Sequence, residues 1–250
     1  MRADDVLELI RSRKSTRAPY DRSLPVTDEE LQRIIEAGRW APTAHNIQNY
    51  EIVAVRDPDL LGRIGRIKYV VPGEFLRENL KSVSSSEAEW QQKRMGVLAT
   101  QVPPEFLVSG RELSEAEQAR LNARFEKLIT ATSCLLIVLY DRNRPAPGWT
   151  GDDIGLISLG FLLENMWLMA TAQGVDFSII SILGEPPAAK EIAGMLGIPE
   201  HLSIIFGIRL GHTAAKVEPG PGMRRSIEDF SHGDHYGEKL ILTGDGKPAR

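Results

Sequence analysis

The chain has 250 residues, 42% of them apolar, which is enough to bury a sizeable core without metal or disulfide staples, so a single domain over residues 1–250 is expected. Its 30 basic and 34 acidic residues leave a net charge of -4, which argues against a general nucleic-acid binder with its usual basic excess. The N-terminus MRADDVLELIRSRK carries acids where a secretory signal is positive and apolar, and the single cysteine, Cys134, has no internal partner, so a cytoplasmic protein that does not engage a membrane is expected.

In chain order, Val6, Leu7, Leu9 and Ile10 follow helical spacing, and this helix should end at the basic string RSRKSTR, which then falls on a loop before Pro19. PVTDEELQRIIEAGRW offers Thr27 as N-cap with Glu30 three residues later, a capping box, and Leu31, Ile34, Ile35 and Trp40 on one face. APTAHNIQNY (41–50) follows, with Pro42 ending the helix, and YEIVAVR then alternates like a strand. About 57–131 reads as a helical excursion broken at VVPGE and QVPPE. Three strands are expected in SCLLIVLY (133–140), VDFSIIS (175–181) and LSIIFGIRLG (202–211). Between the first two lies DDIGLISLGFLLENMWLMATAQG, capped by Asp152 or Asp153, ended by Gly174 and apolar on nearly every face. Such a helix must be buried on most sides. Glu164 and Asn165 interrupt it at mid-length, so burial between subunits is expected in place of a membrane span. The tail 212–250 has too few apolar residues to fold by itself and should lie along another surface.

Neither a Walker loop nor a GxGxxG after a strand is present, so a bound phosphate would need side chains. Arg13, Lys14 and Arg17 cluster with Ser15 at a helix-to-loop junction, and Arg224 and Arg225 form a second pair; arginine forks match phosphate oxygens. Taken singly, each cluster reads equally as a solvated basic face, and APTAHNIQNY as a polar turn. His232, Asp234, His235 and Glu238 in HGDHYGE are metal-binding types, but HExxH and a cysteine pair are lacking, so a solvated tail or a dimer contact is expected and no metal. Cys134, Met166, Trp167 and Met169 read as packing residues.

The order of these blocks, RKSTR, then APTAHNIQNY, then the apolar helix, then RRSIEDFSH, resembles the FMN-dependent nitroreductase family, with its patterns RRSxRxF, PSxxNxQPW and RRPLEEVVH. The resemblance implies an α+β nitroreductase-like fold: a central mixed, mostly antiparallel sheet flanked by helices, in an intertwined homodimer whose subunits share two flavin sites. It implies that Arg13, Lys14, Ser15 and Arg17 contact the ribityl phosphate and the pyrimidine side of FMN, with Arg225 and Arg224 completing the phosphate grip. A cation near the pyrimidine edge would favour the negative charge that reduction adds there. Pro42, Thr43, Ala44 and Asn46 match the segment that reaches the partner's flavin, where small side chains allow close approach, Asn46 donates and Gln48 fixes the loop. Ile180 and Ser181 match a strand end whose backbone faces flavin N5. The implied reaction is ping-pong hydride transfer from NADH or NADPH through N5 to an electron-poor small molecule such as a nitroaromatic or quinone, with no acid, base or nucleophile from the protein. The alternatives are an FMN-dependent dehydrogenase or dehalogenase and a non-catalytic flavin binder. The chain departs from the family at Asn49 and Tyr50, where Pro-Trp is usual, and at Ser226, where proline is usual. The long 57–131 excursion is expected to act as a substrate-selecting lid.

Overall fold

The computed structural model describes residues 2–108, 111–148, 151–214 and 223–240. It contains two compact units, one of residues 1–70 and 118–218, the other of 71–117 and 219–250.

The first unit is built on a four-stranded sheet in the order β1 (Tyr50–Val55), β4 (Cys134–Asp141), β6 (Leu202–Gly211), β5 (Asp176–Ile180), antiparallel at every pairing. β4 is central and all eight of its residues are buried, which explains why CLLIVLY is a continuous apolar run: both of its faces are covered. Cys134, Leu136, Val138 and Tyr140 face one layer with Phe177, Ile208 and Leu210, against α2 (Asp28–Arg39) and α7 (Asp153–Gln173). Leu135, Ile137 and Leu139 face the other with Ile180 and Ile204, against α3 (Pro58–Gly65), α6 (Glu115–Thr130) and α8 (Pro186–Leu196). Cys134 is buried in the sheet, the packing role expected of it.

The Thr27 capping box forms as expected: the Glu30 backbone N–H donates to Thr27 Oγ1 at 3.2 Å, and the Thr27 N–H donates back to Glu30 Oε2 at 2.8 Å. Ile34 is fully buried, but Trp40 is 73% exposed, not on the buried face. The reason is positional: Trp40 is the C-cap, beyond the last regular turn, and its indole folds back to donate to Glu36 at 2.8 Å. Gly38 lets α2 press onto α7, since a Cβ there would stand 2.8 Å from Met166 Cγ. Asp152 takes the N-cap position of α7 but makes no helix cap; its carboxylate accepts from the Tyr140 hydroxyl and from Arg142 Nη1, the latter at 2.7 Å. By length and composition α7 could cross a membrane, yet Leu159, Leu162, Met166 and Ala170 are buried against α2 and the sheet. Ile154, Leu156, Ile157 and Phe161 remain exposed, as do Val6, Leu7 and Ile10 on α1 (Ala3–Ser12).

In the second unit, α4 (Gly73–Lys81) and α5 (Glu87–Lys93) bury Leu76 and Trp90, and β2 (Val83–Ser84) pairs in parallel with β3 (Val97–Leu98). The Glu112 carboxylate accepts from the Gly73 N–H at 3.0 Å at the start of α4. The helices of 57–131 are interrupted at both proline segments. The paired dipeptides were invisible in the sequence, because two residues carry no period. Tail residues 223–240 include a short turn, Ile227–Asp229, with Asp229 paired to Arg94 at 3.1 Å; residues 215–222 and 241–250 of the expected tail lie outside the described residues.

Candidate functional site

A single turn of α7 gathers two of the sequence blocks. Glu164 Oε1 lies 3.2 Å from Arg13 Nε, and the guanidinium stands 4.4 Å over the Trp167 ring. That ion pair is poorly aligned, for Arg13 Nε is buried without a well-directed hydrogen bond, so the stacking on Trp167 is the better-defined contact. Trp167 Nε1 donates to the Lys14 carbonyl at 3.1 Å, and the ring stacks on Phe177 at 4.7 Å. Between these residues, Asn165 Nδ2 donates to the Ala37 carbonyl at 3.2 Å, and Met166 meets Gly38. Residues 164–167 therefore hold both the 13–17 loop and the end of α2, from which the 41–48 segment departs.

The 13–20 loop is pinned through its backbone. The Thr16 N–H donates to the Phe177 carbonyl at 3.0 Å, and its hydroxyl donates to Asp176 Oδ1 at 2.7 Å. Asp176 Oδ2 also accepts from the N–H and hydroxyl of Thr213, at 2.8 and 2.9 Å. The Tyr20 hydroxyl donates to the Thr16 carbonyl at 3.2 Å, and Arg209 Nη2 donates to the Ala18 carbonyl at 3.0 Å. Burial is the main force raising the Tyr20 phenol far above its ordinary range, which keeps it a neutral donor. Thr16 is buried, while Lys14 and Arg17 are exposed and Ser15 is half-buried. Arg13 is turned against α7.

The 41–48 segment is a strained turn. His45, Asn46 and Gln48 have φ of 52°, 56° and 47°, the left-handed region, although none is glycine. Hydrogen bonds hold this shape: the Asn46 N–H donates to the Thr43 carbonyl at 2.9 Å, the Gln48 N–H donates to Thr43 Oγ1 at 3.1 Å, and Gln48 Nε2 donates to Asn46 Oδ1 at 3.2 Å. The last bond occupies the acceptor end of Asn46 and leaves its Nδ2 as a donor. Pro42 is exposed and Ala44 half-buried, so the turn presents mainly backbone and amide groups. Departing from Pro-Trp, Asn49 is fully buried and donates to the Arg144 carbonyl at 3.1 Å.

Ile180 and Ser181 close β5, Ile180 within the core and Ser181 opening a 3-10 turn. Thr16 meets Asp176 and Phe177 at the start of that strand, so Thr16 and Ile180 lie roughly 10 to 13 Å apart along it at about 3.3 Å per residue. Arg224 and Arg225 are exposed residues of the second unit; Arg225 lies 5.6 Å over the Phe230 ring and reaches the Asp229 carbonyl at 3.5 Å. No group of three or more His, Cys, Asp or Glu among the described residues is placed to hold a metal, including those of HGDHYGE. A cavity of about 340 Å³ lies elsewhere, at β1 and the end of α8, lined by Glu51, Asp141 and Arg144 among others and by none of the flavin candidates. Arg144 already pairs with Asp141 at 2.6 Å and Glu51 at 3.3 Å. Sequence reasoning passed over Thr16, Tyr20, Asp176, Arg209 and Thr213, which position the loop and carry no motif.

An NADPH-dependent oxidoreductase of Staphylococcus haemolyticus is 32% identical over 235 residues, 94% of this chain and 75% of that protein. An NADPH-flavin oxidoreductase of Vibrio harveyi is 23% identical over 216 residues, 86% of this chain and 69% of that protein. Among solved structures, an NADPH:FMN oxidoreductase from Vibrio harveyi complexed with NAD+ superposes with a TM-score of 0.59 at 21% identity, covering 94% of this chain and 79% of that one. A nitroreductase with bound FMN from Desulfitobacterium hafniense gives 0.58 at 20% identity, covering 92% and 98%. With residues 10–212 matching the sequence profile of the nitroreductase family, and with the fold shared, the chain belongs to that family.

Proposed function

We propose that the protein is an FMN-dependent oxidoreductase that takes hydride from NADPH or NADH and delivers it to an electron-poor acceptor such as a nitroaromatic or quinone, alternating the two at one site. The observation that carries this reading is the pinned loop: Arg13, Thr16, Tyr20 and the Lys14 and Ala18 carbonyls anchor residues 13–20, and the Lys14 and Arg17 side chains are exposed on it, as an anion site requires. The residues present fit a phosphorylated flat ring. Lys14, Ser15 and Arg17 would hold its phosphate and pyrimidine side, with Arg13 stiffening the loop from α7. Pro42, Thr43, Ala44 and Asn46 would meet a ring face, where a left-handed turn brings backbone close without bulk. Ile180 and Ser181 would offer backbone at the ring, and Arg224 and Arg225 a further phosphate grip.

When bound, FMN supplies a hydride-accepting N5; the chain supplies position and electric field, so no side chain need titrate during turnover. A homodimer with shared sites is part of the reading, because Ile154, Ile157 and Phe161 line an exposed apolar face of α7. A cytoplasmic setting fits the lone buried thiol.

The test is an anaerobic titration of the purified protein. NADPH or NADH is expected to bleach the flavin, and nitro compounds or quinones to restore its colour. Bleaching reversed only by halogenated phenols or by another small substrate would redirect the reading to a dehalogenase or dehydrogenase. Protein that is colourless and takes up no FMN would end it.

A further inference from the structure

Arg209 is a fully buried cation near the C-terminal end of β6, opposite Leu135 on β4 and Ser178 on β5, and no carboxylate among the described residues pairs with it. Nε donates to Thr132 Oγ1 at 2.9 Å and Nη2 to the Ala18 carbonyl at 3.0 Å, while Nη1 has no hydrogen-bond partner. The guanidinium lies 4.2 Å over the Tyr20 ring, whose hydroxyl holds the Thr16 carbonyl. Gly211 makes room for that ring, since a Cβ there would stand 2.3 Å from Tyr20 Cδ2.

An apolar side chain would fill this space without taking a charge out of water, and buried unpaired charge is among the costliest features a core can carry. Filling space therefore does not account for Arg209. What the guanidinium alone does here is grip the Ala18 carbonyl and the face of Tyr20 together, which fixes both carbonyl ends of the Thr16–Ala18 stretch. Arg17 is the residue between them. A residue whose two flanking carbonyls are clamped has its backbone set before any ligand arrives, so less ordering entropy opposes binding. Burial works against the charged form of Arg209, and an anion on the loop above would favour it.

We infer that Arg209 is a positioning residue for the anion site: through Ala18 and Tyr20 it holds the 13–18 loop in the shape that presents Lys14 and Arg17 to the phosphate of FMN. This rests on the flavin reading above and adds to it a residue that touches no cofactor.

The experiment compares FMN with riboflavin, which has the same ring and no phosphate, by fluorescence titration of the full-length apoprotein. Wild type is expected to prefer FMN. Arg209→Met, close in length and uncharged, is expected to weaken FMN about tenfold or more while riboflavin affinity moves by no more than about twofold. General loosening of the fold would weaken both alike. An FMN-to-riboflavin ratio in Arg209→Met equal to that of wild type overturns the inference and leaves the flavin reading intact. Should Arg209→Met fail to give folded protein by circular dichroism, Thr132→Val removes the acceptor of Nε at nearly constant volume and is read the same way: a reduced ratio supports the role and an unchanged ratio overturns it. A wild type with no preference for FMN over riboflavin would remove the phosphate site itself, and this inference with it.

Discussion

At the scale of residues, Asn46 and Gln48 hold a conformation that L side chains adopt at a cost, and asparagine tolerates it better than glutamine. Asn46→Gly removes that cost together with the amide. It is expected to raise folding stability by about 0.5 to 1 kcal/mol, read as a higher denaturant midpoint, while FMN is held less tightly. A variant that is more stable and binds FMN as well as wild type would take Asn46 out of the site. Arg17 and Arg225 invite a paired test: Arg17→Ala should weaken FMN about tenfold if its guanidinium meets the phosphate, and the same loss in Arg225→Ala would place the second-unit arginine in the same grip. The cations of RKSTR were legible as a local basic cluster. Thr16, sitting among them, was not, because its importance lies in a hydrogen bond to Asp176, 160 residues away in the chain.

At the scale of elements, local chemistry was readable and its departures have identifiable causes. Thr27 and Glu30 announced the start of α2, LSIIFGIRLG gave the bounds of β6, and Gly174 marked the left-handed end of α7 at φ 73°. Trp40 misled because helical spacing continues on paper past the last turn. Asp152 misled in part, since Tyr140 and Arg142 compete for the carboxylate that would otherwise cap the helix. The α2 cap also makes a pH prediction. Burial works to raise the pKa of Glu30, but hydrogen bonds from the Thr27 N–H and hydroxyl, together with His212 at 3.5 Å, outweigh it and bring the net value below the ordinary range. A carboxyl depressed in the folded state adds stability that is full above its unfolded pKa and fades as pH falls through the folded one. Stability should therefore drop from about pH 5 downward, and Glu30→Gln should show a shallower drop across the same range by denaturant unfolding. Curves of equal slope would mean that the cap is not coupled to folding.

At the scale of the whole molecule, the sequence signalled a helix apolar on nearly every side, and the structure divides that apolar surface between two destinations. Leu159, Leu162 and Met166 turn inward to α2 and the sheet, while Ile154, Ile157 and Phe161, spaced three and four apart, form an outward stripe. Phe161 and Ile157 are 47% and 50% exposed, and α1 adds Val6, Leu7 and Ile10 without burying any residue of its own. The strand order β1-β4-β6-β5 could not be read beforehand, because it depends on pairings between segments far apart in the chain, such as Tyr50 with Tyr140, whereas the outward stripe follows from spacing alone. An apolar stripe of this kind is stable in water when a second copy covers it. Ile157→Asp places a charge in the centre of the stripe and touches none of the inward residues, so the fold should persist while the assembly dissociates. Light scattering behind gel filtration is expected to fall from twice 27.7 kDa to the single-chain mass, and flavin lost in the same step would support the proposal that each site draws on both chains. A wild type that already runs as a monomer, or an Ile157→Asp variant that keeps the doubled mass at the same concentration, would show that this face of α7 serves something other than self-association.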